Sequence, residues 1–190
     1  MCKKKKKAMA IDALICVGLP ALWKTRSVPL SGIPLLALAF CIAQWYAIFP
    51  SSMDSHAWPD PCRGFVLLLC VDTLQTSVHM LTHFGYLGQT VRKQHLVHHT
   101  HTLVHPSTAF HTGILDALLQ LILPLIVALR IVEPDRTTAI LFGLFFSQWL
   151  IYIHTPRVVP GLRIPGLVTP EYHQEHHSGR GHYAHVFAII

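Results

Sequence analysis

Hydrophobic residues are gathered into long runs that short polar stretches separate. Four runs are long enough, or nearly so, to cross about 30 Å of hydrocarbon. They cover residues 29–49, 64–81, 113–132 and 137–153. An earlier run, Ala8 to Trp23, is shorter and is interrupted by Gly18-Leu19-Pro20, so we interpret it as an interfacial or re-entrant segment. The pattern predicts an all-α integral membrane protein, with a basic N-terminal region at 1–28 and a membrane domain of four transmembrane helices at 29–190.

Composition agrees with a membrane protein. Hydrophobic residues make up 52% of the chain and charged residues 13%, whereas a soluble domain has about a quarter charged residues. The net charge of +6 comes largely from the run Lys3 to Lys7. No basic patch with interleaved aromatic residues accompanies it, so we expect no nucleic-acid partner. We expect the lysine run to be a membrane-proximal tail attracted to anionic headgroups, and the N-terminus lacks the cleavage site of a signal peptide.

Cysteine spacing excludes two further classes of site. The chain has five cysteines, and none forms a Cys-x-x-Cys pair. Neither a zinc knuckle nor a thioredoxin-like redox motif is therefore predicted.

Histidines are concentrated in three short boxes. The chain has 15 histidines, and the boxes are His79-x-x-x-His83, His95-x-x-His98-His99 and His173-x-x-His176-His177. Residues three and four apart share one face of a helix, so each box directs two or three imidazoles one way. A histidine-rich surface turn explains one box more readily than all of them. Because imidazole is the commonest metal ligand among side chains, the boxes predict a polynuclear metal site.

The number of histidines indicates two metals. A zinc site is usually satisfied by four ligands, so eight or nine histidines are too many for one ion. Shared between two ions, they leave open positions in octahedral coordination. Imidazole suits iron, zinc and copper alike. The apolar surroundings favour a lipid substrate, and breaking an unactivated C–H bond needs a redox metal. We therefore expect two iron ions, for which zinc substitutes only in a purified sample.

Three acidic residues and two further histidines are candidates for supporting roles. Asp72 shares a helical face with His79 inside a predicted span, where a carboxylate is costly. We expect it to accept the free ring N–H of a ligand histidine, the alternative being a pairing with a polar neighbour. Glu171 and Glu175 flank the last box, where one holds a ligand histidine or both are solvated. His111 and His182 are candidate additional ligands. His185 is a weaker candidate, and His101 and His105 are expected at the surface or as supporting residues.

Charge distribution predicts that every box faces the cytosol, because Lys and Arg prefer that side. If the run from Ala8 to Trp23 does not span, the lysine run is cytosolic and the loop Ser51 to Pro61, which lacks Lys and Arg, is lumenal. The next span returns His79 and His83 to the cytosol. The hairpin at 113–153 then returns His154 and the last box. If the first run did span, the lysines would be lumenal, which is less economical.

The motif set resembles the fatty acid hydroxylase/sterol desaturase superfamily of membrane di-iron oxygenases. The match runs from Asp72 through the first two boxes to His154 and the segment Thr169 to Ser178, and it covers roughly Gly64 to His185. The resemblance implies a four-helix membrane bundle capped by a cytosolic di-metal site. It also implies oxygen-dependent hydroxylation, desaturation or demethylation of a sterol or fatty acyl lipid. Electrons would come from a cytochrome b5-type or reductase donor, and the expected membrane is the endoplasmic reticulum. The implied metal ligands are His79, His83, His95, His98, His99, His154, His173, His176 and His177.

Some positions depart from the superfamily pattern. Met80 stands where Arg is common, and Val158 stands where some members have a histidine. The last box is followed by His182-Tyr183-Ala184, and the sequence stops at Ile190. These departures slightly favour an alternative, a non-catalytic metal-binding membrane protein. A metal transporter is a third reading, which the position of the histidines at span ends disfavours.

Overall fold

The computed structural model describes residues 58–156 and 163–188. These residues form helices α1 (Pro61–His83), α2 (Gln89–His99), α3 (Ile114–Val132), α4 (Arg136–Ile153) and α5 (Pro170–His177). A short 3-10 turn, Pro106–Thr108, lies between α2 and α3. Within the described residues there is no strand, only an antiparallel bridge between Leu167 and Phe187. The all-helical prediction is confirmed. The predicted region 1–28 and the predicted span 29–49 lie outside the described residues.

Helices α1, α3 and α4 are long and apolar enough to cross a membrane. They correspond to the hydrophobic runs at 64–81, 113–132 and 137–153, although α3 begins one residue after its run, with Gly113 as the N-cap. Large apolar side chains such as Phe65, Ile131 and Leu141 are exposed on their outer faces, as expected for surfaces that contact lipid. Helix α1 continues past its hydrophobic run to His83, so both histidines of the first box lie on it.

Side-chain caps mark the starts of two of the membrane helices, α1 and α4. Asp60 accepts hydrogen bonds from the backbone N–H groups of Cys62 and Arg63, at 2.9 and 3.1 Å. Asp135 accepts from the N–H of Thr138 at 2.9 Å. Each cap satisfies backbone donors that the first helical turn leaves free. The Thr138 hydroxyl oxygen also accepts the backbone N–H of Asp60 at 2.7 Å, which joins the starts of α1 and α4.

Two hydrophobic clusters hold the bundle together. One lies between α1, α3 and α4, and its buried members include Leu67, Ala128 and Phe142. The other lies beside the histidines and joins the end of α4 to the chain around α5, through residues such as Ile153 and Val186. Because the second cluster is next to the polar histidines, it anchors α5 at one end of the bundle.

The residues after α5 double back along the bundle, and we call Gly181–Ala188 the C-terminal segment. The N–H of Val168 donates to the carbonyl of Val186 and the N–H of Ala188 to the carbonyl of Gly166, both at 2.8 Å. The indole N–H of Trp149 on α4 donates to the carbonyl of His185 at 2.7 Å. The segment is therefore tied to the bundle through its backbone.

Candidate metal centre

All nine predicted ligands lie at one end of the bundle, in two groups. Within each group, one candidate ligand atom per residue lies within 4.8 Å of all the others. The first group is His79, His83, His95, His99 and His176. The second group is His98, His154, His173 and His177. The groups are adjacent, since the rings of His99 and His177 stack with centroids 4.6 Å apart.

The ring nitrogens within each group converge through Nε2. In the first group, the Nε2 atom of His95 lies 3.1, 2.9 and 2.9 Å from those of His79, His83 and His99. In the second group, His177 Nε2 lies 3.1 Å from His98 Nε2 and 3.2 Å from His173 Nε2. Two nitrogens bound at about 2.1 Å to one metal, at a right angle, are about 3 Å apart. The spacing is therefore that of ligands around a common ion.

Backbone carbonyls fix the orientation of most of these rings through the opposite nitrogen, Nδ1. The distances from Nδ1 to its carbonyl oxygen run from 2.7 to 3.3 Å. The pairs are His79 with Tyr183, His98 with His111, His154 with Leu150, His176 with Gly181, and His177 with His101. A carbonyl accepts only, so each Nδ1 carries the proton and each Nε2 presents a lone pair. This is the usual outer arrangement of metal-binding histidines.

Burial keeps these imidazoles neutral. Desolvation lowers the pKa of His154 and of His176 to about 4 and that of His177 to about 3. In each case the hydrogen bond to a backbone carbonyl raises the pKa, but by less than desolvation lowers it. Desolvation and the neighbouring histidines also lower the pKa of His98, His99 and His173. Neutral imidazole is the form that binds metal.

The donor set fits metal ions. Nε2 of His176 is buried and has no hydrogen-bond partner among the described residues, although a buried polar atom without a partner is unfavourable. It belongs to the first group, so an ion held by the other histidines of that group would satisfy it. Nitrogen donors alone suit iron, zinc or copper.

Asp116 is an acidic partner of the site that the sequence reasoning missed. Nδ1 of His95 lies 3.1 Å from Asp116 Oδ2, and both side chains are almost fully buried. Asp116 lies inside the predicted span 113–132. A carboxylate within a span is costly, and this is the reason that Asp72 was selected from the sequence. The same reason applies to Asp116. It precedes a wider π-helical turn, Leu118–Ile122, of a kind often found at functional sites.

The acidic residues that were expected to support the site make other contacts. Asp72 is buried, and its carboxylate accepts the backbone N–H groups of Val186 and Phe187, at 2.9 and 3.0 Å, instead of a histidine ring. Its role is to hold the C-terminal segment. Glu171 is exposed and pairs with Arg163 at 3.2 Å. Glu175 is exposed and lies 3.8 Å from Arg180. Of the two roles expected for Glu171 and Glu175, both residues have the second: they are solvated and do not hold a ligand histidine, because their ion pairs are with surface residues.

The other histidines of the described residues lie outside the two groups. The rings of His111 and His101 contact each other, with His101 Nε2 3.2 Å from His111 Nδ1, and their carbonyls hold His98 and His177. His182 is exposed, lies 3.7 Å from Glu175 and packs on Tyr172, so its ring belongs to neither group. His185 is buried beside His79, with ring centroids 4.8 Å apart. The ring of His105 bonds Ser107 at the surface.

A small cavity lies between the two groups and the membrane helices. Its volume is about 40 Å³, which is room for a few water-sized groups. Besides histidines of both groups, it is lined by Gln75 of α1, Gln120 and Leu121 of α3, and Leu150 of α4. A small molecule or the reacting part of a larger one would meet both groups here.

Comparison with known proteins identifies a family. A family model described as "Fatty acid hydroxylase" matches residues 64–190, which include every histidine of the two groups. No curated protein and no solved structure matches the chain.

Proposed function

The chain belongs to the fatty acid hydroxylase family, and from this we propose that it is a membrane non-haem di-iron oxygenase acting on a lipid. The family and the fold indicate an integral membrane, oxygen-dependent oxidoreductase with a histidine-rich metal site. The enzyme uses dioxygen to hydroxylate, desaturate or oxidatively demethylate a sterol or fatty acyl substrate.

One observation carries the proposal: two adjacent groups of histidines whose Nε2 atoms converge. Five donors in the first group and four in the second leave one and two positions of an octahedral ion open. Bound iron supplies the redox chemistry that oxidation of an unactivated C–H bond requires. The protein contributes neutral ligands, fixed ring orientations and a site from which bulk water is largely excluded.

The position of the cavity supports a lipid substrate. The apolar residues Leu121 and Leu150 line it on the side of the membrane helices, and the histidines line it on the other side. A lipid held by the bundle would extend only its reacting carbon into this space, because the cavity is too small for a whole chain. The polar headgroup or ring would remain outside.

Basic residues at the histidine end of the bundle support the cytosolic orientation and an electron-donor partner. Arg92 and Lys93 on α2 and Arg180 after α5 are exposed. Lys and Arg favour the cytosolic side of a membrane, and a basic surface attracts an acidic donor. We propose a cytochrome b5-type or reductase donor at this face, in the endoplasmic reticulum.

The alternative of a non-catalytic metal-binding protein receives no support from one of the sequence features that favoured it, Met80. Met80, which stands where relatives commonly have Arg, is 38% exposed on α1 and belongs to neither group. A change at that position leaves all nine candidate ligands in place.

Lipid mass spectrometry of cells with and without the chain tests the proposal. We expect a product that requires oxygen and iron and that falls to background in His98→Ala and His176→Ala, one variant for each group. His105→Ala is the matched control, because that ring is exposed and outside both groups, and it should keep the product. Unchanged product in both group variants would contradict catalysis by this site.

A further inference from the structure

We infer that Asp116 makes the two metal positions unequal, so that iron in the second group is reduced before iron in the first. The inference rests on the proposed di-iron function and goes beyond it, because it assigns different roles to the two groups.

Asp116 is built into a closed network. It is 4% exposed, and Gln120, one helical turn later, is 5% exposed. The Thr112 hydroxyl donates to Asp116 Oδ2, and the Gln120 amide donates to Oδ1. The ring of His95 reaches Oδ2 at 3.1 Å. Three donors therefore hold the carboxylate in place, which is what a buried carboxylate needs in order to remain in an apolar bundle.

The position of His95 Nε2 determines which ring nitrogen carries the proton. Nε2 lies 3.1, 2.9 and 2.9 Å from the Nε2 atoms of His79, His83 and His99, so it is the nitrogen that presents a lone pair to a metal. In a neutral imidazole the other nitrogen, Nδ1, then carries the proton, and it donates to Asp116 Oδ2 at 3.1 Å. The Gln120 amide nitrogen, which lies 2.9 Å from the same Nδ1, donates to Asp116 Oδ1.

No ring of the second group has such a partner within the described part of the chain. His98, His154 and His177 each meet a backbone carbonyl, and Nδ1 of His173 has no partner among the described residues. Across both groups, Asp116 is the one described carboxylate that bonds a ring. The first group therefore contains the more basic metal ligand, His95, as well as the larger number of ligands.

A more basic donor set stabilises the more highly charged ion. A carboxylate behind a ligand histidine raises its basicity, and such partners typically change metal affinity by about 10- to 100-fold. If that factor favours Fe³⁺ over Fe²⁺ in the first group, the one-electron potential there falls by about 60 to 120 mV. Each step is Fe³⁺ plus one electron giving Fe²⁺, and the first electron goes to the second group.

A redox titration of the iron-loaded protein with dithionite, followed by Mössbauer spectroscopy, tests this order. We expect two reduction steps in the wild type. Asp116→Asn keeps the shape and one acceptor but removes the charge, so the lower step should rise by about 60 to 120 mV while the upper step stays. Asp116→Ala removes the acceptor, so one of two irons should bind about 10- to 100-fold more weakly.

Asp135→Asn is the matched control, since this carboxylate is also buried but caps α4 away from the histidines. It should leave both steps unchanged. A single step in the wild type, or a shift of the upper step in Asp116→Asn, overturns the inference while leaving the di-iron function intact. A protein that binds no iron overturns both.

Discussion

Adjacent histidines in each His-x-x-His-His box belong to different groups. His95 and His99 are in the first group and His98 is in the second, whereas His173 and His177 are in the second and His176 is in the first. On a helix, residues i and i+4 are about 40° apart and residue i+3 lies about 60° to the other side. Each box therefore contributes histidines to both groups. The earlier box gives two to the first group and one to the second, and the later box gives one to the first group and two to the second.

The lowered pKa values of the histidines predict how the metal-free protein responds to acid. His154 and His176 have pKa values of about 4 in the folded chain, against about 6.5 in an unfolded one. Below pH 6.5 the unfolded chain takes up protons that the folded chain does not, so folding weakens as the pH falls towards 4. The midpoint temperature of the metal-free protein should be steady above pH 7 and fall between pH 6.5 and 4.

His177→Gln, which removes one titrating ring from the second group, should reduce the steepness of that fall. A midpoint temperature that rises on acidification would contradict the neutral state assigned to these rings.

Spacing alone was enough to select eight of the nine histidines as candidates, because the helical period determines which rings share a face. His154 stands outside the boxes, and only the resemblance to the superfamily implied it. Spacing did not reveal the supporting contacts. Five rings are held by backbone carbonyls, and every residue has a carbonyl, so no side-chain pattern marks them. Asp116 differs, since its position within a hydrophobic run is a visible signal.

At the scale of elements, the C-terminal segment orients two rings of the first group. Its Tyr183 carbonyl holds His79 and its Gly181 carbonyl holds His176. Asp72 on α1 accepts two amides of the same segment. A carboxylate of a membrane helix thus acts on the metal site through the backbone, although the sequence suggested a direct contact.

Asp72→Ala should loosen the C-terminal segment. It leaves the N–H groups of Val186 and Phe187 without their acceptor, at a cost of about 1–3 kcal/mol for each buried group. Hydrogen exchange at these two amides should accelerate, and iron content should fall. Asp72→Asn keeps one acceptor and should have the smaller effect. Unchanged exchange in Asp72→Ala would show that the segment is held by other contacts.

The start of α3 lies very close to α2. A Cβ atom at Gly113 would lie 2.5 Å from Cβ of Gln94, which is the residue before His95. The side-chain amide oxygen of Gln94 also accepts the backbone N–H of Leu115 at 2.7 Å. Gly113→Ala should therefore push α2 away and destabilise the protein by about 1–3 kcal/mol.

Thermal unfolding and iron content measure that effect. Gly64→Ala is the matched control, because a Cβ there would make only an ordinary van der Waals contact, 3.6 Å from Cγ2 of Thr138, at the other end of the bundle. Equal behaviour of the two variants would mean that α2 adjusts without displacing its histidines.

The hydrophobic runs anticipated α1, α3 and α4, because membrane-length helices have the strongest sequence signal. Helices α2 and α5 contain 11 and 8 residues and are too short and polar for hydropathy, so only the histidine spacing indicated them. The bridge between Leu167 and Phe187 joins residues that are far apart along the chain. Neither residue shows a local pattern that would reveal the pairing.

At the scale of the whole molecule, both histidine groups lie at one end of the three membrane helices, and the turn between α3 and α4 lies at the other. The predicted orientation puts the histidine end in the cytosol. A glycosylation acceptor inserted within Ser51 to Pro61 should be modified in the endoplasmic reticulum, whereas one inserted near Gly179 should remain unmodified. The reverse pattern would invert the topology.

The opposite division of the two boxes has a consequence for assembly. Helices α2 and α5 each supply ligands to both groups. The first ion to bind therefore orders two helices that also supply ligands to the second ion. The entropic cost of ordering them falls largely on the first event. Metal loading should therefore be cooperative, with a sigmoidal binding curve and few singly loaded molecules. Helices α1, α2 and α5 and the end of α4, which His154 follows, should be rigidly joined only when both ions are bound.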